Sequence, residues 1–93
     1  MCFSAVYRLA DGVQVREERF GLLFYDYRGP RLYFVPSGDL MEDRFFDGKR
    51  TALDLVESVC AKHEWPRQLV VDRVNQILEL LKTKGLIYEQ SVC

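Results

Sequence analysis

Between residues 13 and 35 apolar and polar positions follow one another in short runs separated by turn dipeptides, whereas from residue 51 onward apolar residues recur at helical spacing. The first pattern belongs to strands and the second to amphipathic helices, so the chain reads as a β half followed by an α half. Val13-Gln14-Val15-Arg16-Glu17 alternates and predicts a strand with one wet face, entered through the turn dipeptide Asp11-Gly12. Leu22-Leu23-Phe24-Tyr25-Asp26 is apolar almost throughout, which predicts a central strand covered on both faces. Tyr27-Arg28-Gly29-Pro30 supplies a tight turn into a third strand, Arg31-Leu32-Tyr33-Phe34-Val35, which Pro36 ends. Leu32 and Phe34 share one face of that strand, and Arg31, Tyr33 and Val35 the other. Ser4–Leu9 could add a short strand hairpinned to Val13 through Asp11-Gly12; the pattern leaves its pairing open.

In the α half, Ser37-Gly38-Asp39-Leu40 predicts a short helix with Ser37 as its N-cap, Leu40, Met41 and Phe45 facing inward, and Asp47-Gly48 as its stop. Thr51-Ala52-Leu53-Asp54 predicts a second helix with an acid in its first turn, an apolar stripe of Leu53, Val56, Val59 and Cys60, and an end near His63. Pro66 opens a third helix, at a first position where its missing N–H costs nothing. That helix runs to about Lys84, with Gly85 as its left-handed cap and Leu86 and Ile87 folding back onto the last turn.

The third helix carries two apolar rows. At about 100° per residue, Val70, Val74, Ile77, Leu78 and Leu81 fall together and predict the core face. Leu69, Arg73, Gln76 and Leu80, with Lys84 beside them, line a separate edge that suits an apolar, acidic peptide. The alternative is that Leu69 and Leu80 only widen the core stripe. If the third strand pairs only with the second, its outer edge keeps unpaired N–H and C=O groups, flanked by Arg31 and Tyr33, which could be defended or used.

Ninety-three residues, 48% of them apolar, leave room for one core and one domain over residues 1–93, which excludes a two-domain enzyme. The near balance of 13 basic and 14 acidic side chains disfavours nucleic acid as a partner. Cys2, Cys60 and Cys93, an odd number without a framework spacing, read as free thiols of a reducing compartment, and no basic start precedes an apolar run. No apolar run approaches the roughly 20 residues of a membrane-spanning helix. The expectation is a cytoplasmic protein with no membrane contact. Cys60 and His63 lie one turn apart, but a single His and otherwise terminal thiols argue against a metal site. Phe20-Gly21 and Arg28-Gly29 are isolated turn glycines rather than a phosphate loop, and Glu17-Glu18 and Glu42-Asp43 are neighbours whose side chains diverge. No catalytic residue, metal or cofactor is expected.

The run Phe20-Gly21-Leu22-Leu23-Phe24-Tyr25-Asp26-Tyr27-Arg28-Gly29-Pro30-Arg31-Leu32-Tyr33-Phe34-Val35-Pro36-Ser37, with Tyr7-Arg8-Leu9 before it and Lys84-Gly85-Leu86-Ile87 after it, resembles the peptide chaperones of mycofactocin biosynthesis. These are a branch of the PqqD-like precursor-peptide recognition proteins. The resemblance spans roughly residues 6–88 and is most specific in the central run. It implies an α+β, winged helix-turn-helix-like fold, an N-terminal three-stranded antiparallel sheet followed by three α-helices, without enzymatic activity. It also implies that the leader of a ribosomally made precursor peptide adds as a strand beside the third strand, and that a radical S-adenosylmethionine maturase then modifies the precursor. Carried onto this chain, Arg31, Leu32, Tyr33, Phe34 and Val35 would form one wall of the groove, and Leu69, Arg73, Gln76, Leu80 and Lys84 the other. Arg31, Arg73 and Lys84 would meet the leader's acids. A clean Asp11-Gly12 turn stands where the resemblance implies a looser approach, which leaves the strand number open. Two further readings compete: a winged-helix DNA-binding module using Arg67, Arg73, Lys82 and Lys84, and a homo-oligomer built through the edge strand.

Overall fold

The alternating run opens as β2 (Val13–Glu18) and pairs antiparallel with β3 (Gly21–Asp26), which pairs in turn with β4 (Arg31–Val35). The computed structural model describes residues 3–91. The register, Val13 opposite Asp26 and Leu22 opposite Val35, stacks Val13, Val15, Leu22, Phe24, Tyr33 and Val35 on one face. That face joins the core. β3 is the central strand, as its apolar run predicts, but only one of its faces is covered. Leu23 and Tyr25 are half-buried, and Leu32 and Phe34 beside them are exposed.

Residues Ala5–Leu9 do form a strand, β1, yet not the hairpin partner of β2. Both edges of β1 are taken, by β5 (Asp47–Thr51) on one side and β6 (Ile87–Ser91) on the other, so a second antiparallel sheet of order β5-β1-β6 arises. The Asp11-Gly12 turn, with Gly12 at φ 81° and the Val13 N–H donating to the Ala10 carbonyl at 3.0 Å, carries the chain from one sheet to the other. β5 and β6 were not expected. Gly48 at φ 79° and the irregular register opposite Val6 and Arg8 let a segment read as a helix stop act as an edge strand.

There are two α-helices among the described residues, not three. The segment after Pro36 cannot start a helix, because Gly38 sits at φ 57° and the Ser37 N–H turns back to the Val35 carbonyl. Only one 3-10 turn, Asp43–Phe46, forms there; it drives Phe45 and Phe46 into the core, where Phe45 lies 5.9 Å from the Tyr7 ring and Phe46 5.4 Å from Phe24. The winged helix-turn-helix-like expectation of one N-terminal sheet followed by three helices is therefore replaced by two three-stranded sheets and two helices.

Thr51 caps α1 (Ala52–Lys62) as its sequence predicts. Its Oγ1 accepts from the Asp54 N–H at 3.1 Å, and the Asp54 carboxylate accepts from the Thr51 N–H at 3.0 Å. With Thr51 as N-cap the buried positions become Ala52, Leu55, Val56 and Val59, so Leu53 is exposed rather than inward. Thr51→Ala is expected to cost about 1 kcal/mol in urea denaturation, with an unchanged slope. The second helix, α2 (Arg67–Thr83), buries Val70, Val74, Ile77, Leu78 and Leu81, the predicted core face. It ends in a Schellman motif: Gly85 at φ 73° donates to the Lys82 carbonyl and Leu86 to the Leu81 carbonyl, both at 3.0 Å.

Candidate functional site

β4 lies at the edge of its sheet, and its alternation decides which of its backbone groups are free. The Tyr27 N–H donates to the Gly12 carbonyl at 2.8 Å, which fixes the phase of the β2–β3 ladder. Alternation then turns the backbone of Leu22, Phe24 and Asp26 toward β4, where Arg31, Tyr33 and Val35 receive it. Leu32 and Phe34 consequently aim their N–H and C=O groups away from β3, along an edge that no other described strand pairs with.

This edge runs beside α2, in the opposite direction. At the Arg31 end a cleft of about 360 Å³ is lined by Arg31, Leu32, Tyr33, Lys84 and Leu86, and the Lys84 Nζ stands 4.6 Å from the centre of the Tyr33 ring. Beyond Val35 a second cleft, about 230 Å³, is lined by Ser37, Leu40, Trp65, Leu69, Val70 and Arg73. The cleft at the start of β4 is thus basic, and the one beside the first half of α2 is mostly apolar.

Of the residues singled out in the sequence, Arg31, Leu32, Tyr33 and Lys84 come together in the first cleft, and Leu69 and Arg73 in the second. Leu69 is 53% and Leu80 42% exposed, so neither widens the core stripe. Gln76 and Leu80 continue the row along the exposed side of α2 without lining either cleft. Phe34 is exposed on the outer face of the sheet, and the side chain of Val35 is in the core.

The side chain that organises the basic end was not anticipated. Asp26, at the end of β3, is only 2% exposed. Its Oδ1 accepts from the Arg28 backbone N–H at 3.0 Å and from Arg28 Nε at 2.9 Å, and its Oδ2 from Arg28 Nη2 at 3.2 Å and Arg31 Nη2 at 2.7 Å. The hydrogen bond from Arg28, and then that from Arg31, holds the Asp26 carboxyl far below the usual carboxylate range. A depressed folded-state pKa stabilises the fold above the unfolded value of about 3.9 and loses that stabilisation as pH falls toward the folded value. Asp26→Asn should therefore flatten the acid limb of a plot of thermal midpoint against pH below about pH 4. An acid limb as steep as that of the parent chain would remove Asp26 as its source.

A profile of the peptide chaperone MftB family matches residues 6–88. The chain belongs to that family. Among curated proteins and among solved structures no match was found. Membership carries a peptide-chaperone role in mycofactocin biosynthesis, and therefore a peptide partner.

In this MftB-family chaperone the first cleft adjoins the free edge of β4, and the second is walled mainly by apolar side chains. A larger cleft, about 670 Å³, lies between the β2–β3 turn and the 3-10 segment, but charged side chains of both signs line it, among them Glu17, Glu18, Asp43, Arg44 and Lys62. Volume is a poorer guide here than chemistry. Sequence reading missed Leu40, Trp65 and Leu86 as lining residues. The available signal was Trp65, a large aromatic beside a helix-opening proline; it is half-exposed and stacks on His63 at 4.0 Å. No three His, Cys, Asp or Glu side chains gather to hold a metal among the described residues, and Cys60 is a free thiol; Cys2 and Cys93 lie outside the described residues. No helix there is long and apolar enough to cross a membrane.

Proposed function

We propose that this chain is a non-catalytic, cytoplasmic chaperone domain that binds the leader of the mycofactocin precursor peptide as an added strand on β4 and delivers it to a radical S-adenosylmethionine maturase. The observation that carries the reading is the free edge of β4, which borders a basic cleft with Lys84 at the end of α2, while an apolar cleft on α2 lies beyond Val35. The leader's backbone pairs with Leu32 and Phe34, between Arg31 and Val35. An apolar side chain enters the cleft of Leu40, Trp65, Leu69 and Val70, and Gln76 and Leu80 extend the helical wall. Arg73, which has no ion-pair partner among the described residues, and Lys84 attract the leader's acids and set register and on-rate.

Family membership supports the peptide partner, and the charge arrangement weighs against DNA. Of the basic residues on α2, Lys82 is paired with Glu79 and Glu89 and Arg67 lies 4.0 Å from Glu57, which leaves few free charges for phosphates.

Strand addition makes a periodic demand on the ligand. A scan in which single residues of the synthetic precursor leader are N-methylated should lower affinity at every second position of the bound segment, because only alternate N–H groups face β4. Uniform tolerance, or losses without alternation, would remove strand addition as the binding mode.

A further inference from the structure

We infer that Asp26 is a positioning residue of the peptide groove: through Arg28 and Arg31 it ties the start of β4 to the Lys84 and Gly85 carbonyls that close α2 and sets the groove before a peptide arrives. The inference rests on the peptide-binding reading above.

Three observations converge. First, a carboxylate buried this deeply is rare unless it is paired, and Asp26 is met by a two-pronged Arg28 guanidinium and by Arg31. Second, both arginines reach on to the helix. Arg28 Nη2 donates to the Gly85 carbonyl at 2.8 Å, and Arg31 Nη2 lies 3.5 Å from the Lys84 carbonyl. The Schellman motif satisfies the Leu81 and Lys82 carbonyls, and the arginines meet those of Lys84 and Gly85 just past α2, a helix end where positive charge is favoured. Third, Asp26 and Arg31 are cross-strand partners, and Arg31 is the first residue of β4. One buried carboxylate therefore connects the last residue of β3, the first of β4 and the cap of α2, which are the two walls of the groove and the strand that supports one of them.

The arrangement also divides the labour among the basic residues. Arg31 is committed to Asp26 and the helix end, so its part in the groove is to hold the walls together, and the reading of peptide acids falls to Arg73 and Lys84.

The test uses the full chain and the synthetic mycofactocin precursor peptide. In Asp26→Asn, amide hydrogen exchange at Gly85 and Leu86 should quicken at least about tenfold while that at Val56 and Val74 stays unchanged, and peptide affinity by fluorescence polarisation should fall about tenfold as the preformed groove is lost. Adding Arg31→Ala to Asp26→Asn should weaken binding no further than Asp26→Asn alone, because the two act as one unit. Losses that multiply would mean that Arg31 meets the peptide directly and would overturn the assignment, as would unchanged exchange at Gly85 and Leu86 or undiminished affinity. Should Asp26→Asn fail to fold, Arg28→Lys breaks the two-pronged contact at a half-exposed position and should give the same exchange signature in milder form. If the parent chain does not bind the peptide, the peptide reading falls and the positioning role with it, whereas the exchange result still decides whether Asp26 holds the helix end.

Discussion

Replacing Arg73 and Leu80 together by glutamate should abolish binding of the precursor leader while leaving the thermal midpoint nearly unchanged. Both side chains are exposed on α2, and the core of that helix is carried by other residues, Val70, Val74, Ile77, Leu78 and Leu81. The fold therefore has little to lose. The groove has much to lose, since Arg73 lines the apolar cleft and its reversal sets a carboxylate against an acidic peptide, while a glutamate at position 80 charges the helical wall beyond it. Charge reversal at Arg73 together with a carboxylate placed on the wall at position 80 corresponds to about 3 kcal/mol or more, at least about a hundredfold in Kd. Calorimetric titration of the folded variant checks this. Undiminished affinity would move the peptide away from the assigned face of α2.

The largest effect on the fold itself is expected from Gly21→Ala. A Cβ built on Gly21 would lie 1.9 Å from the Val35 carbonyl oxygen, 2.8 Å from the Ser37 nitrogen and 2.9 Å from the Val35 carbonyl carbon. All three are backbone atoms, so no flexible side chain can swing aside. β3 and the end of β4 must separate where Leu22 pairs with Val35, both buried. A cost of about 3 kcal/mol, the upper range for overpacking, should appear as a lower urea midpoint, with weakened peptide binding because β4 itself is displaced. Gly29→Ala is the control, since nothing stands within 4 Å of its Cβ position and its φ is not in the left-handed region. That variant should differ from the parent by no more than about 1 kcal/mol, and in the stabilising direction if at all. Equal behaviour of the two variants would refute the argument from close approach.

The residues that were legible are those whose structure is decided by their neighbours in sequence. The third strand falls at Arg31–Val35 because Gly29, Pro30 and Pro36 bound it. Thr51 and Asp54 form their capping pair and Gly85 its left-handed cap, since each motif is complete within a few residues. The inward row of α2 follows from helical periodicity alone. Failures came where a local signal met a distant demand. Ser37-Gly38-Asp39-Leu40 has the letters of a helix start, but Gly38 at positive φ and the Gly38 N–H bond to the Phe20 carbonyl hold it as a turn against the β2–β3 hairpin. Asp26 read as an ordinary strand terminus, because nothing in a linear pattern shows that two arginines and a helix end will close over it.

By itself the sequence determined the order of the central strands and the two long helices, with the Thr51 cap of one and the Gly85 cap of the other. Tertiary structure decided that β1 would be enclosed by β5 and β6 instead of lying against β2. Contacts such as that of the Tyr7 hydroxyl with Glu89 at 2.7 Å join residues 82 positions apart. It also decided that β4 and the Lys84 cap would border one cleft, beside the arginines that Asp26 holds, and that Leu69 and Arg73 would line another with Leu40 and Trp65. The physical reason is the same in each case. Turns, caps and helical faces are fixed by interactions within a few residues, whereas sheet partners and groove walls are chosen by whichever distant segments can bury apolar surface and satisfy backbone groups together.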